Sequence, residues 1–174
     1  MDQFNHHNGT KAVLSMPKAM YCVFRHSSFW LSLPAIAVRE GMPRPGMVFV
    51  PGTPNIFVGL CHVRSEFIPV LSLDSVLPDC DHSDGNVMLV VDDTDGPWAV
   101  LVDEVTSLRA LEISDAPVAD VFDPSCVVVG WATHGSNVIR VIDPSRVRML
   151  AEQELAAMWQ SENLLRPEFT NMAI

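Results

Sequence analysis

Short apolar runs, each closed by turn residues, fill most of the chain. Runs at 20–24 and 29–33 flank Arg25-His26-Ser27-Ser28, and runs at 57–63 and 67–73 flank Arg64-Ser65-Glu66. Further along, 87–91 and 98–102 flank Asp92-Asp93-Thr94-Asp95-Gly96, and 126–132 and 138–142 flank residues 133–137. Val, Ile and aromatic residues between clusters of Gly, Asp, Asn and Ser are the signature of strands and turns. Each pair of runs therefore predicts a β-hairpin. Another β-branched and aromatic run, at 48–50, stops at Pro51-Gly52. So many hairpins at regular spacing predict an all-β chain of barrels or a sandwich.

One segment follows a different period. After Asp143, a good N-cap, and Pro144, which suits a first helical position that needs no amide donor, apolar residues recur at Val147, Leu150, Ala151, Leu155 and Met158. That spacing predicts a helix with one buried face, ending before Pro167 and covering a barrel. Residues 1–18 are polar and aperiodic and read as a loose arm, and residues 166–174 as a tail. Between them, 19–165 reads as one domain of two subdomains, with a break in the acidic, turn-rich stretch 77–85 (LPDCDHSDG). Residues 111–124 read as a long loop with at most one helical turn.

Composition narrows the function. The chain has 174 residues, 48% of them hydrophobic and 18% charged, which excludes disorder for the bulk. Eleven basic residues scattered among 21 acidic ones give a net charge of −10, so neither a phosphate backbone nor an acidic membrane face is an expected partner. The apolar runs are far shorter than the roughly 20 residues of a spanning helix, and no secretion signal is apparent. A cytoplasmic protein is expected, with no membrane insertion. Cys22, Cys61, Cys80 and Cys126 form no C-x-x-C pair and are expected to be reduced thiols packed as small hydrophobes.

Candidate chemistry is sparse. The loop Asp79-Cys80-Asp81-His82-Ser83-Asp84 concentrates carboxylates, a thiol and an imidazole, but its spacing matches no ligand pattern and it reads as a solvated linker. Asp92-Asp93-Thr94-Asp95-Gly96 resembles the start of a calcium loop, yet its twelfth position is Asp103 and strands flank it, so a hairpin turn is expected. No histidine forms H-E-x-x-H or sits at i, i+4 from another, and nucleophile elbow, P-loop and dinucleotide fingerprint are missing. The chain is read as non-catalytic, with no catalytic residue, cofactor or metal. Arg64, between two apolar strands, reads either as a charged turn residue or as an interface anchor.

The run AIAVREGMPRPGMVFVPGTPNIFVGLCHVRSEFIPVLSL, residues 35–73, resembles the CheW-like family, the adaptor modules of bacterial chemosensory arrays that also occur as a domain of CheA and in CheV. Val38 and Glu40 stand for the family's first element, V-x-E-I. Gly59, Arg64, Pro69, Val70 and Leu73 stand for its hairpin, G-V-x-N-L-R-G-x-x-x-P-V-x-D-L. Residues 99–105 resemble the G-L-x-V-D-x-V strand, and Gly130 falls where a glycine precedes the last hairpin. The likeness runs from about Ala19 to Met158. Departures are His62-Val63-Arg64-Ser65 in place of N-L-R-G, Ser72 where Asp is usual, and Gly41 where a branched apolar residue is usual. Having lost its glycine, the Arg64-Ser65-Glu66 turn is expected to be type I or looser.

The resemblance implies two packed five-stranded SH3-like β-barrels with exchanged chain segments and a C-terminal helix. It implies a scaffold bridging a methyl-accepting chemoreceptor to a CheA-type histidine kinase. Val38 is the expected apolar groove contact and Glu40 a charged specificity determinant. Gly59 would allow close backbone approach, and Arg64 would give planar, bidentate hydrogen bonding. An adaptor of a surface-motility or biofilm system, and a small-ligand-binding β-barrel, are the alternatives.

Overall fold

The computed structural model describes residues 19–77, 80–114 and 125–165. The arm, the tail and most of the 111–124 loop lie outside the described residues. Eleven strands are arranged in two sheets. The first sheet joins β1 (Met20–His26), β2 (Phe29–Pro34), β9 (Glu104–Ala110), β10 (Val128–His134) and β11 (Asn137–Ile142) in the order β10-β11-β2-β1-β9. The second joins β3 (Val38–Pro43), β4 (Met47–Val48), β5 (Phe57–Val63), β6 (Glu66–Leu71), β7 (Val87–Val91) and β8 (Trp98–Val102) in the order β3-β7-β8-β6-β5-β4. The mostly β class and the four hairpins are as the sequence predicts. The second sheet has six strands rather than five because the two-residue β4 pairs with β5. The chain crosses between sheets through a 3-10 turn at Ala35–Ala37 and again at Asp103, so each sheet draws on separated parts of the sequence. The acidic stretch 77–85 joins β6 to β7 within one sheet.

The unbroken apolar runs of β7 and β8 follow from burial on both faces, since a strand with no solvent face need not alternate. Leu89, Val91, Trp98, Val100 and Val102 face a core shared with Phe24, Leu31 and Leu33 of the first sheet. Their neighbours Met88, Val90, Ala99 and Leu101 pack on Cys61, Val63, Ile68 and Val70, inside the curl of the second sheet. The first sheet has its own smaller interior of Val23, Leu111, Ala132 and Ile139.

The helix α1 (Pro144–Leu165) starts where the sequence predicts. Asp143 Oδ1 accepts from the amides of Ser145 at 2.9 Å and Arg146 at 3.4 Å, satisfying donors that the first turn leaves free. Val147 is fully buried and Leu150 and Ala151 pack on the shared core, while Arg148 donates to the carbonyls of Gly96 and Asp95 at 2.7 and 2.9 Å. The helix is thereby pinned to the β7–β8 turn, a hairpin turn as expected. Removing the cap by Asp143→Ala should cost about 1 kcal/mol. Urea unfolding should show a lower midpoint with an unchanged slope.

All four cysteines are free thiols. Cys22 and Cys61 are buried as expected, Cys80 is half-buried, and Cys126 is exposed. The expected packing fails at Cys126, which occupies a left-handed turn position (φ 55°) just before β10.

Candidate functional site

Where the two sheets meet, the edge strand β3 of one lies near the edge strand β9 of the other. Between them runs an open, largely apolar groove of about 610 Å³. Val38, Glu40 and Met42 of β3 line one side, Val105 and Leu108 of β9 the other, and Leu89 of β7 also lines it. A β-bulge shapes the first wall. Val38 pairs with Val91 and Glu40 with Val90, so Arg39 is an extra residue on β3. Such a bulge kinks the strand and re-aims its side chains. Arg39 reaches Glu66 Oε2 at 2.7 Å and Asp92 Oδ1 at 2.6 Å. Those two carboxylates, Asp92 first, hold its guanidinium more firmly protonated than usual.

Glu40 and Arg64 are brought together. Arg64 Nη2 donates to Glu40 Oε2 at 2.9 Å, with the Arg64 side chain 78% exposed and that of Glu40 only 18%. The other carboxylate oxygen, Oε1, is buried with no hydrogen-bond partner among the described residues. A buried acceptor left unpaired costs roughly 1–3 kcal/mol. Both ion pairs, Arg39–Glu66 and Arg64–Glu40, run from β3 to the β5–β6 hairpin, although β7 and β8 lie between them in the sheet. The second sheet must curl strongly to allow this, and side chains join its ends.

The Arg64-Ser65 turn differs from the type I or looser form expected. Both residues have positive φ, 47° and 76°, in a two-residue loop where Val63 faces Glu66. This is the type I′ pattern, whose twist matches that of the flanking strands. The strands impose it even without glycine. A left-handed non-glycine residue costs roughly 1–2 kcal/mol, partly offset by glycine's greater unfolded-state entropy. Ser65→Gly should therefore stabilise the fold by about 0.5 kcal/mol, read as a higher urea midpoint.

Gly59 stands apart from the groove. It lies at a bulge in β5, with Phe57 opposite Leu71 and Gly59 opposite Val70. A Cβ there would sit 2.6 Å from the carbonyl oxygen of Val48. The close backbone approach it allows is one within this chain, between β5 and β4. Of the four expected site residues, the structure thus unites Val38, Glu40 and Arg64 and sets Gly59 elsewhere.

Nothing in the sequence marks Val105 and Leu108 as groove residues. Leu108 is 64% exposed on an edge strand, and its interest appears only once β9 is placed against β3. Arg39 is equally unmarked, because a bulge leaves no local signal in a strand as short as VREGMP. Among the described residues, no helix is long and apolar enough to cross a membrane.

Comparison with known proteins bears on this arrangement. No curated protein sequence matches the chain. The scaffolding protein TtCheW from Thermoanaerobacter tengcongensis has a similar structure, with a TM-score of 0.65 at 20% identity, over 81% of this chain and 91% of that one. At that identity the likeness establishes the shared fold. The profile of the CheW-like domain matches residues 21–152, which takes in both sheets, the groove and the first part of α1. The chain therefore belongs to the CheW-like family.

Proposed function

We propose that the protein is a non-catalytic chemotaxis adaptor that couples a methyl-accepting chemoreceptor to a CheA-type histidine kinase. The observation that carries this reading is the groove between the edge strands of the two sheets. Its apolar sides, Val38, Met42, Val105 and Leu108, meet an incompletely satisfied carboxylate, Glu40, beside the exposed Arg64. An apolar trough with a charged group along one wall suits a protein segment that buries a few anchors and fixes its register by polar contacts. The family and the likeness to a protein described as a scaffold support the same role. Val38 supplies apolar contact, Glu40 and Arg64 supply charge selection, and Gly59 keeps the β4–β5 corner in shape.

The test is direct binding. The purified full chain is titrated with the soluble cytoplasmic fragment of a chemoreceptor and, separately, with the regulatory portion of a CheA-type kinase, both from the same genome. Saturable binding to both is expected. Leu108→Glu, at an exposed position, should leave the melting temperature unchanged and weaken one of the two by at least about tenfold, or about 1.4 kcal/mol. Failure of the unmodified chain to bind either fragment would overturn the proposal.

A further inference from the structure

Away from the groove, three potential metal donors converge between the sheets, and a fourth, His82, reaches one of them from the exposed side. His26 ends β1 in the first sheet, Asp74 follows β6 in the second, and Cys80 and His82 belong to the connection from β6 to β7. His26 Nε2 lies 2.6 Å from Asp74 Oδ1, and His82 Nδ1 lies 2.8 Å from Asp74 Oδ2. Cys80 Sγ lies 4.0 Å from Asp74 Oδ1. One donor atom each from His26, Asp74 and Cys80 falls within 4.8 Å of the other two. His26 is all but fully buried, and His26, Asp74 and His82 line a cavity of about 70 Å³. From spacing alone this loop reads as a solvated linker, because the ligand set is completed by Asp74, just before the loop, and by His26, 48 residues before Asp74 in sequence.

We propose that His26, Asp74, Cys80 and His82 form a binding site for a single Zn²⁺ ion that clasps the two sheets and their connecting loop. Tetrahedral zinc holds nitrogen, oxygen and sulfur donors at roughly 2.0–2.3 Å, which puts neighbouring donors roughly 3.3–3.7 Å apart. The donors of His26, Asp74 and Cys80 lie within 4.8 Å of one another, so modest side-chain adjustment brings them to that spacing, and His82, which meets Asp74 alone, rotates on the exposed side of the loop to complete the set. Two imidazoles and a thiol are poor donors for Ca²⁺ or Mg²⁺, and a mixed nitrogen, sulfur and oxygen set suits zinc.

The surroundings support the same reading. The outer nitrogen of His82, Nε2, lies 3.4 Å from Asp84 Oδ1, the carboxylate–histidine arrangement that orients metal-bound imidazoles. The loop is anchored beside His26, because Asp103 accepts from both the Ser27 amide and the Ser83 hydroxyl. Zinc would displace the thiol proton and any proton held by the imidazoles, so binding releases protons and weakens as pH falls.

The experiment uses the full chain, stripped with a chelator and titrated with ZnCl₂ in equilibrium dialysis, alongside Co²⁺ substitution. One equivalent of Zn²⁺ should bind, and it should raise the melting temperature of the folded chain. The Co²⁺ form should show a near-ultraviolet thiolate-to-metal absorption. Cys80→Ser should abolish that band, and Cys80→Ser and His82→Ala should each weaken Zn²⁺ binding by at least about tenfold. Neither side chain is fully buried, so both variants should fold. The neighbouring His6 and His7 offer an unrelated chelating pair, and the double change His6→Ala with His7→Ala should leave the affinity intact. No stoichiometric binding, a Co²⁺ spectrum without the thiolate band, or binding lost on removing His6 and His7 but kept in Cys80→Ser would each overturn the proposal. None of these outcomes depends on whether the groove binds a receptor or a kinase.

Discussion

Gly59→Ala should lower the stability of the protein by about 2–4 kcal/mol without removing any residue from the groove. Two costs coincide. The residue has φ +156°, outside the usual range for a side-chain-bearing residue, and its Cβ would meet the Val48 carbonyl oxygen at 2.6 Å and the carbonyl carbon at 3.3 Å. Real Cβ atoms do not approach a backbone oxygen that closely, so β4 must peel from β5 or the β5 bulge must move. Either route disturbs the pairing of Met47 with Cys61 and Val48 with Leu60, and Cys61 belongs to the inner core of the second sheet. At roughly 2–4 °C per kcal/mol for a chain of this size, the melting temperature should drop by about 5–15 °C. Gly46→Ala is the control. A Cβ there meets nothing within 4 Å, so the change should stay within about 0.5 kcal/mol. Affinity of the folded Gly59→Ala protein for groove partners should be unchanged. Unchanged stability together with lost binding would instead place Gly59 against a partner.

Gly59 also marks how far the sequence could be read. Its place in the hairpin pattern was legible, but the neighbour that makes it necessary, Val48, comes from β4, a two-residue strand with no period to detect. The β7–β8 pair matched its predicted bounds at every residue because both strands are buried on both faces and the apolar runs end where burial ends. The helix was equally clear, since Asp143, Pro144 and the Val147 to Met158 face are all local signals. The edge strands were harder. β9 exposes most of its side chains, so its pattern, EVTSLRA, encodes pairing with β1 rather than burial. β3 carries a bulge, a glycine and a proline, which hide the alternation of Val38, Glu40 and Met42. The groove lies between these two strands, so the least legible elements build the candidate site. The division of the chain into sheets was hidden for another reason. The acidic stretch looks like a boundary by composition, yet pairing between β6 and β8 carries the second sheet past it.

Arg64→Ala should weaken capture of a receptor or kinase fragment by at least about tenfold while barely affecting the fold. The Arg64–Glu40 pair is largely exposed on the arginine side, and such pairs contribute about 0–1 kcal/mol. The melting temperature should therefore fall by no more than about 4 °C. Binding is different, because a guanidinium has five donors and Glu40 takes one of them through Oε2. The remaining donors face outward in a fixed plane, and a partner carboxylate or carbonyl that pairs with them when water is excluded would be stranded by the truncation. Truncating one member of a buried charged pair costs roughly 2–5 kcal/mol. Arg64→Lys should restore only part of the affinity, since an ammonium keeps the charge and loses the fork. Glu40 steadies the guanidinium, so Glu40→Gln should weaken binding as well. In the double variant the losses should fall short of their sum, because both act through one contact. Fully additive losses would separate Glu40 from Arg64 and assign Glu40 a contact of its own. An Arg64→Ala protein that unfolds with no separate binding defect would make Arg64 a structural residue of the type I′ turn.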